Sequence, residues 1–130
     1  MTTDPTQAMQ AMAGARYLNL ESFRRDGTGV RTPVWFAAAG PVFYIYSTAD
    51  SFKIKRIARN AAVRIAPCDM RGTASGPWID ATATIIDGAE ASAGMALLDR
   101  KYFPWKQLIG LMARFRPRGR TVVAIRPAAA

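Results

Sequence analysis

The sequence contains no histidine. That removes the commonest metal ligand and the commonest general acid–base side chain, so metal ligation and a Ser–His–Asp mechanism are not expected. Cysteine occurs once, as Cys68, which excludes an intrachain disulfide. Beside Asp69 and Arg71 this thiol could be reactive, but an inert buried residue is the expected reading. No apolar run approaches the length of a membrane span. The opening stretch MTTDPTQAMQAMAG also lacks the charged start and apolar core of a signal peptide. A cytoplasmic protein off the membrane is expected. Acidic residues are scarce too, with 9 Asp+Glu against 18 Lys+Arg and a formal net charge of +9. A field of that sign attracts anions: nucleic acid, an acidic surface, or a phosphorylated or polycarboxylate small molecule.

What is present suits one globular domain of 130 residues, half of them hydrophobic. Asp4 and Pro5 are N-cap and N1 chemistry for a short helix over Pro5–Met12, so residues 1–14 are read as an N-terminal helix and 15–127 as the domain. Strands are expected from Tyr17 to Phe23, Val30 to Ala37, Val42 to Ser47, Val63 to Pro67, Trp78 to Ile86 and Thr121 to Ile125. The second and third, joined through Gly40-Pro41, read as a hairpin. Helices are expected over Phe52–Arg59, with Ile54, Ile57 and Ala58 as its buried stripe, and over Ala89–Tyr102, with Met95, Leu98 and Tyr102 on one stripe. A broken helix is expected over Pro104–Phe115. Six mainly antiparallel strands with few helices point to a small barrel.

The chemistry concentrates in Tyr46–Asn60, YSTADSFKIKRIARN. Ser47 and Thr48 end a strand and can donate hydrogen bonds to phosphate or ring oxygens. A helix N-terminus follows, capped by Asp50 or Ser51, whose exposed N–H groups and dipole favour an anion. Lys53 in the first turn opposes that dipole, which makes sense if an anion sits there. Spacing alone leaves a second reading open, in which Lys53, Lys55, Arg56 and Arg59 form a solvated basic face.

The order of features resembles the pyridoxamine 5′-phosphate oxidase-like split β-barrels and, within them, the actinobacterial deazaflavin (F420)-dependent oxidoreductase group B. The matching pieces are RTPVWFAAAGPVFYIYSTADSFKIKRIARNAAVRIAPCDMRG, GPWIDATATI and KYFPWK, between Arg16 and Pro127. The resemblance implies a six-stranded antiparallel split β-barrel of the FMN-binding type, mainly β with peripheral helices. It implies that Pro33, Val34 and Trp35 lie along a flavin-type ring, that Tyr46, Ser47 and Thr48 meet its edge and ribityl chain, and that Lys53 binds a 5′-phosphate. Lys55 and Arg56 would supply further positive charge, because Phe52 stands where the family's oxidases often carry arginine. Pro77 and Trp78 would face a neighbouring subunit's cofactor, in a homodimer with the cofactor at the interface.

Between cofactors, the excess of positive charge and the APCDMRG segment lean towards coenzyme F420, with its phosphodiester and polyglutamate tail, over FMN. The implied reaction is hydride transfer between the deazaflavin and an electron-poor, conjugated small molecule. An FMN enzyme of the same fold and a non-catalytic F420 carrier are the alternatives. The proton donor stays open among Tyr44, Tyr46, Asp69, Arg71 and water. Nucleic acid is not expected, because the cations are not interleaved with an aromatic platform on adjacent strands. The mixed aromatic and basic stretch 101–120 reads as a substrate lid or a solvated connection.

Overall fold

The computed structural model describes residues 5–48, 51–102 and 120–128. The chain runs α1 (Pro5–Ala11), β1 (Tyr17–Phe23), β2 (Gly29–Val34), β3 (Ala37–Ala39), β4 (Val42–Thr48), α2 (Phe52–Arg59), β5 (Ala62–Cys68), β6 (Ile79–Ile86), α3 (Gly88–Lys101) and β7 (Arg120–Pro127). All seven strands join one antiparallel sheet in the order β2-β1-β5-β6-β7-β4-β3. The expected helix Pro104–Phe115 lies outside the described residues.

Two expectations are corrected here. Among the described residues seven strands form, not six, and their ladder does not close into a barrel. The reason lies at Trp35–Phe36. The expected strand runs unbroken from Val30 to Ala37, but the chain changes partner within it: Val34 pairs with Leu18 of β1, whereas Ala37 pairs with Tyr44 of β4. One expected strand thus becomes the two opposite edges of the sheet. Only two residues separate those edges along the chain, so Val34 and Ala37 lie within roughly 11 Å of each other. The sheet must curl to bring its edges that close, yet no ladder joins them. The hairpin read from Gly40-Pro41 forms with β3 alone, and Gly40 takes the left-handed conformation it needs (φ 60°).

Curling gives the strands an inside and an outside. Phe43 and Ile45 of β4, with Val123 and Ile125 of β7, point into the main core, where they meet Leu18, Leu20, Ile65 and Ala83. Met9 and Met12 from the N-terminal segment and Ile54 and Ile57 of α2 complete it. Ala58, expected on the same stripe, is exposed, because only the i, i+3 pair of this short helix reaches the core. The alternate residues Tyr44, Val122 and Ala124 face outward and are covered by α3 through Leu98 and Tyr102.

Contact between α3 and the sheet is close at Gly94, where an added Cβ would lie 2.8 Å from the Tyr44 ring. The Tyr44 hydroxyl donates to Glu90 Oε2 at 3.0 Å, and Arg126 Nη2 donates to the same oxygen at 2.7 Å, so the ring is held. Gly94→Ala gains about 1 kcal/mol of helix propensity but overpacks a fixed ring at a cost of roughly 1–3 kcal/mol. The expected outcome is net destabilisation in chemical denaturation, with no change in m-value.

Candidate functional site

The site starts from a helix cap. Ser51 precedes α2 in an extended conformation, and its Oγ accepts the Ile54 N–H at 3.2 Å. Its own N–H donates to the Thr48 carbonyl at 3.0 Å, which joins the end of β4 directly to the helix. Ser47 Oγ lies 3.1 Å from Ser51 Oγ. The two hydroxyls share one hydrogen bond, so one of their two protons is left to donate elsewhere. The N–H groups of Phe52 and Lys53, at the first two helical positions, have no acceptor within the helix.

Lys53 is the unusual member. It is half-buried, and among the described residues its ammonium has no hydrogen-bond or ion-pair partner. Burial, with a smaller contribution from the neighbouring Arg56 charge, holds its pKa below the usual 10.5. No acidic side chain occupies the first turn of α2. A cation withdrawn from water without a counter-charge is unfavourable, and an anion beside it would relieve that cost.

Lys53 lines a cavity of about 300 Å³ with Pro33, Val34, Trp35 and Tyr46. The sheet itself assembles this set. Pro33, Val34 and Trp35 come from the end of β2 and the edge-switching bend, Tyr46 from β4, and Lys53 from the helix that β4 leads into. Five of the residues named from the sequence therefore converge, and Ser47, Thr48 and the α2 cap adjoin them along the chain.

Trp35 is fixed from behind. Its ring stacks on Tyr102 with centroids 4.7 Å apart and planes 11° apart. The Tyr102 hydroxyl accepts the Phe36 N–H at 3.0 Å and has two carbonyl acceptors, Arg16 O at 2.7 Å and Phe36 O at 3.0 Å. Burial raises the phenol to about 12, so it remains a proton donor at any ordinary pH. Lys101 adds a second tie, donating to Ala15 O at 2.9 Å with its ammonium 3.6 Å from the Phe36 ring centre. From the sequence Tyr102 is expected on an apolar helix stripe and at the start of the aromatic and basic stretch 101–120, with no role for its hydroxyl. A tyrosine where phenylalanine would pack as well was the available signal, since a buried hydroxyl needs partners.

Other named residues lie elsewhere. Lys55 and Arg56 line a separate depression of about 480 Å³ with Arg24, Arg25, Phe52 and Arg59. Arg56 Nε donates to the buried Ser22 Oγ at 2.7 Å, and Arg59 Nη2 to the Phe23 carbonyl at 2.7 Å, so both tie α2 to the end of β1. Phe52 is absent from the Lys53 cavity lining and is 75% exposed in this second depression. Trp78, one residue before β6, meets the Arg31 and Arg64 guanidinium groups at 4.5 and 5.7 Å from its ring centre. Those two arginines pair with the buried Glu21 at 2.8 and 3.6 Å. Pro77 beside it is exposed, and neither residue lines the Lys53 cavity.

Among the proton-donor candidates, only Tyr46 lines the cavity. Tyr44 is committed to Glu90 beneath α3, and Asp69 Oδ1 accepts the Arg71 and Thr73 N–H groups within its own turn. Cys68 is buried, and burial together with Asp69 pushes its thiol up, away from the thiolate form. Among the described residues no helix is long and apolar enough to cross a membrane.

No protein-family model and no curated protein match the chain. Solved structures match it in fold. An F420 reductase is 21% identical over 92% of this chain and 93% of its own, with a TM-score of 0.58. A Listeria innocua protein described as a pyridoxamine 5′-phosphate oxidase is 14% identical over 96% and 94%, with a TM-score of 0.64. A FAD-binding protein from Mesorhizobium loti is 14% identical over 99% and 93%, with a TM-score of 0.60. The chain thus has the fold of the pyridoxamine phosphate oxidase-like split-barrel proteins.

Proposed function

We propose that this chain is a cytoplasmic oxidoreductase of the deazaflavin-dependent kind, using coenzyme F420 to reduce or oxidise an electron-poor, conjugated small molecule. The observation that carries the reading is Lys53: a half-buried ammonium with no acidic partner among the described residues, in one cavity with Trp35 and Tyr46. That arrangement suits a ligand with an anionic end and a flat ring. Lys53, the free N–H groups at the start of α2 and the spare Ser47/Ser51 proton would hold the anion, and Trp35 would flank the ring. When bound, the cofactor supplies the hydride chemistry, and the chain contributes orientation and a water-poor wall. Tyr46, the proton-donor candidate that lines the cavity, would hold a proton there.

The cavity lies at the small end of ligand sites, which span roughly 300–1,000 Å³. A second copy of the chain would complete it, and the proposed active form is a homodimer. Pro77 and Trp78, away from the Lys53 cavity of their own chain, are free in this arrangement to approach the partner's cofactor. FMN is the second reading, since Phe52, which stands where the family's oxidases often carry arginine, faces the other depression. A non-catalytic carrier would bind F420 through the same residues and turn nothing over.

The pH dependence follows from the lowered Lys53 pKa. The ammonium is the anion-binding form, so affinity is flat near neutrality and falls as pH rises through the depressed value, below 10.5. A bound anion lifts that value again, so binding takes up protons in the alkaline window. Calorimetry of F420 or FMN binding in buffers of different ionisation enthalpy should show proton uptake in the alkaline window below 10.5 and none at about pH 7. Equal proton release or none at both would remove Lys53 from the site.

A further inference from the structure

The second depression does not belong to the Lys53 cavity, and its lining is chemically one-sided. Five cations surround it: Arg24 and Arg25 from the β1–β2 turn, and Lys55, Arg56 and Arg59 from α2. Among the described residues no acidic side chain lines it. The nearest acid along the chain, Asp26, accepts the Thr28 N–H at 2.9 Å and closes its own turn. Glu21 is engaged by Arg31 and Arg64. Burial, followed by the like charges of Arg24 and Arg59, holds the Arg56 pKa below the usual arginine value, and Asp26 offsets part of the Arg24 charge. The cluster persists because Arg56 and Arg59 are anchored to Ser22 and Phe23, so it cannot simply splay into solvent.

One apolar group stands among these charges. Phe52 is 75% exposed, and the Lys55 ammonium lies 5.4 Å from its ring centre. A protein interface would surround such a ring with apolar neighbours and few lysines. A ring among cations instead matches a ligand that is flat at one end and multiply anionic at the other. The volume of about 480 Å³ is that of a small-molecule site. Phosphate suits guanidinium forks better than it suits lysine alone, and four of the five cations are arginine.

We propose that this depression is a second ligand site, distinct from the Lys53 cavity, that takes a nucleoside polyphosphate. The base stacks on Phe52, and the phosphates lie among Arg24, Arg25 and Lys55, with Arg56 and Arg59 setting the field behind them. The site needs nothing from the cofactor reading and stands or falls separately.

Calorimetric titration at about 0.15 M salt, without divalent metal, tests it with ATP, inorganic tripolyphosphate and tri-glutamate as probes. ATP should bind about tenfold more tightly than tripolyphosphate, the difference being the stacked base, and Phe52→Ala should erase that difference. Arg24→Ser combined with Lys55→Ser, both exposed and outside the α2 anchors, should weaken both phosphates about tenfold or more. Lys53→Met should leave ATP binding intact. Equal affinity for ATP and tripolyphosphate, equal affinity for tri-glutamate, or loss of ATP binding in Lys53→Met would each overturn the assignment. So would a single-stranded oligonucleotide that binds far more tightly than ATP, which would make the site a nucleic-acid surface.

Discussion

Lys53→Met is expected to give a protein that melts at a higher temperature and binds its cofactor far more weakly. The two effects share one cause. In the free protein the ammonium is half-buried with no acidic partner among the described residues, and its pKa is held down by burial and by Arg56. The folded state therefore binds fewer protons at this site than the unfolded state between the lowered value and 10.5. The sign is that stability rises with pH across that window and bears the full cost of the charge at neutrality. Methionine fills similar space without the charge, so a gain on the order of 1 kcal/mol, or ~4 °C in Tm, is expected near pH 7. The gap between variant and parent should narrow as pH rises. Losing a charge-assisted contact to the anion should weaken binding by roughly 1.5–3 kcal/mol, about 10- to 150-fold. A solvated basic face would give neither change, so a differential melt read together with a titration separates the two readings.

Tyr102→Phe is expected to be the most destabilising conservative change in the described part of the chain. Its hydroxyl accepts the Phe36 N–H and has one proton to share between the Arg16 and Phe36 carbonyls, at 2.7–3.0 Å. Phenylalanine keeps the ring and its stack on Trp35 but leaves a buried N–H and its carbonyl neighbours without the hydroxyl. Each unsatisfied buried group costs roughly 1–3 kcal/mol, so a loss of about 2–4 kcal/mol in urea denaturation is expected. The damage falls at Trp35–Phe36, where the chain passes from one edge of the sheet to the other. The cavity wall should loosen with it, and cofactor affinity should fall more than the loss of a distant core contact would produce. A variant as stable as the parent would show that the edge switch is held by the strands alone.

Much of this was legible along the chain. Helix α2 was read with its observed bounds, because Ser51 caps it and Ile54 and Ile57 sit one turn apart. Strand β1 was likewise read from its alternation, and Pro33, Val34, Trp35, Tyr46 and Lys53 were named and do converge. The edge switch was not legible. Alternation describes which way each side chain points and is silent on which neighbour accepts the backbone hydrogen bonds, so β2 and β3 read as one strand. Charge placement was only half legible. Lys55 and Arg56 follow Lys53 closely in sequence, but the turn of the helix carries them to a separate depression, where they meet Arg24 and Arg25 from a hairpin turn. Trp78 shows the same limit. Its arginine neighbours come from β5 and the edge strand β2, and only cross-strand register brings them together around Glu21.

The central claim is that Lys53 and Trp35 form one cofactor site. Its most direct test is an equilibrium titration of the purified chain and its Lys53→Met variant with F420 and, separately, FMN, followed by tryptophan quenching. Micromolar or tighter binding of F420, weaker binding of FMN, and a loss of at least about tenfold for F420 in the variant are expected. Failure of both cofactors to bind, or undiminished F420 binding by Lys53→Met, would contradict it.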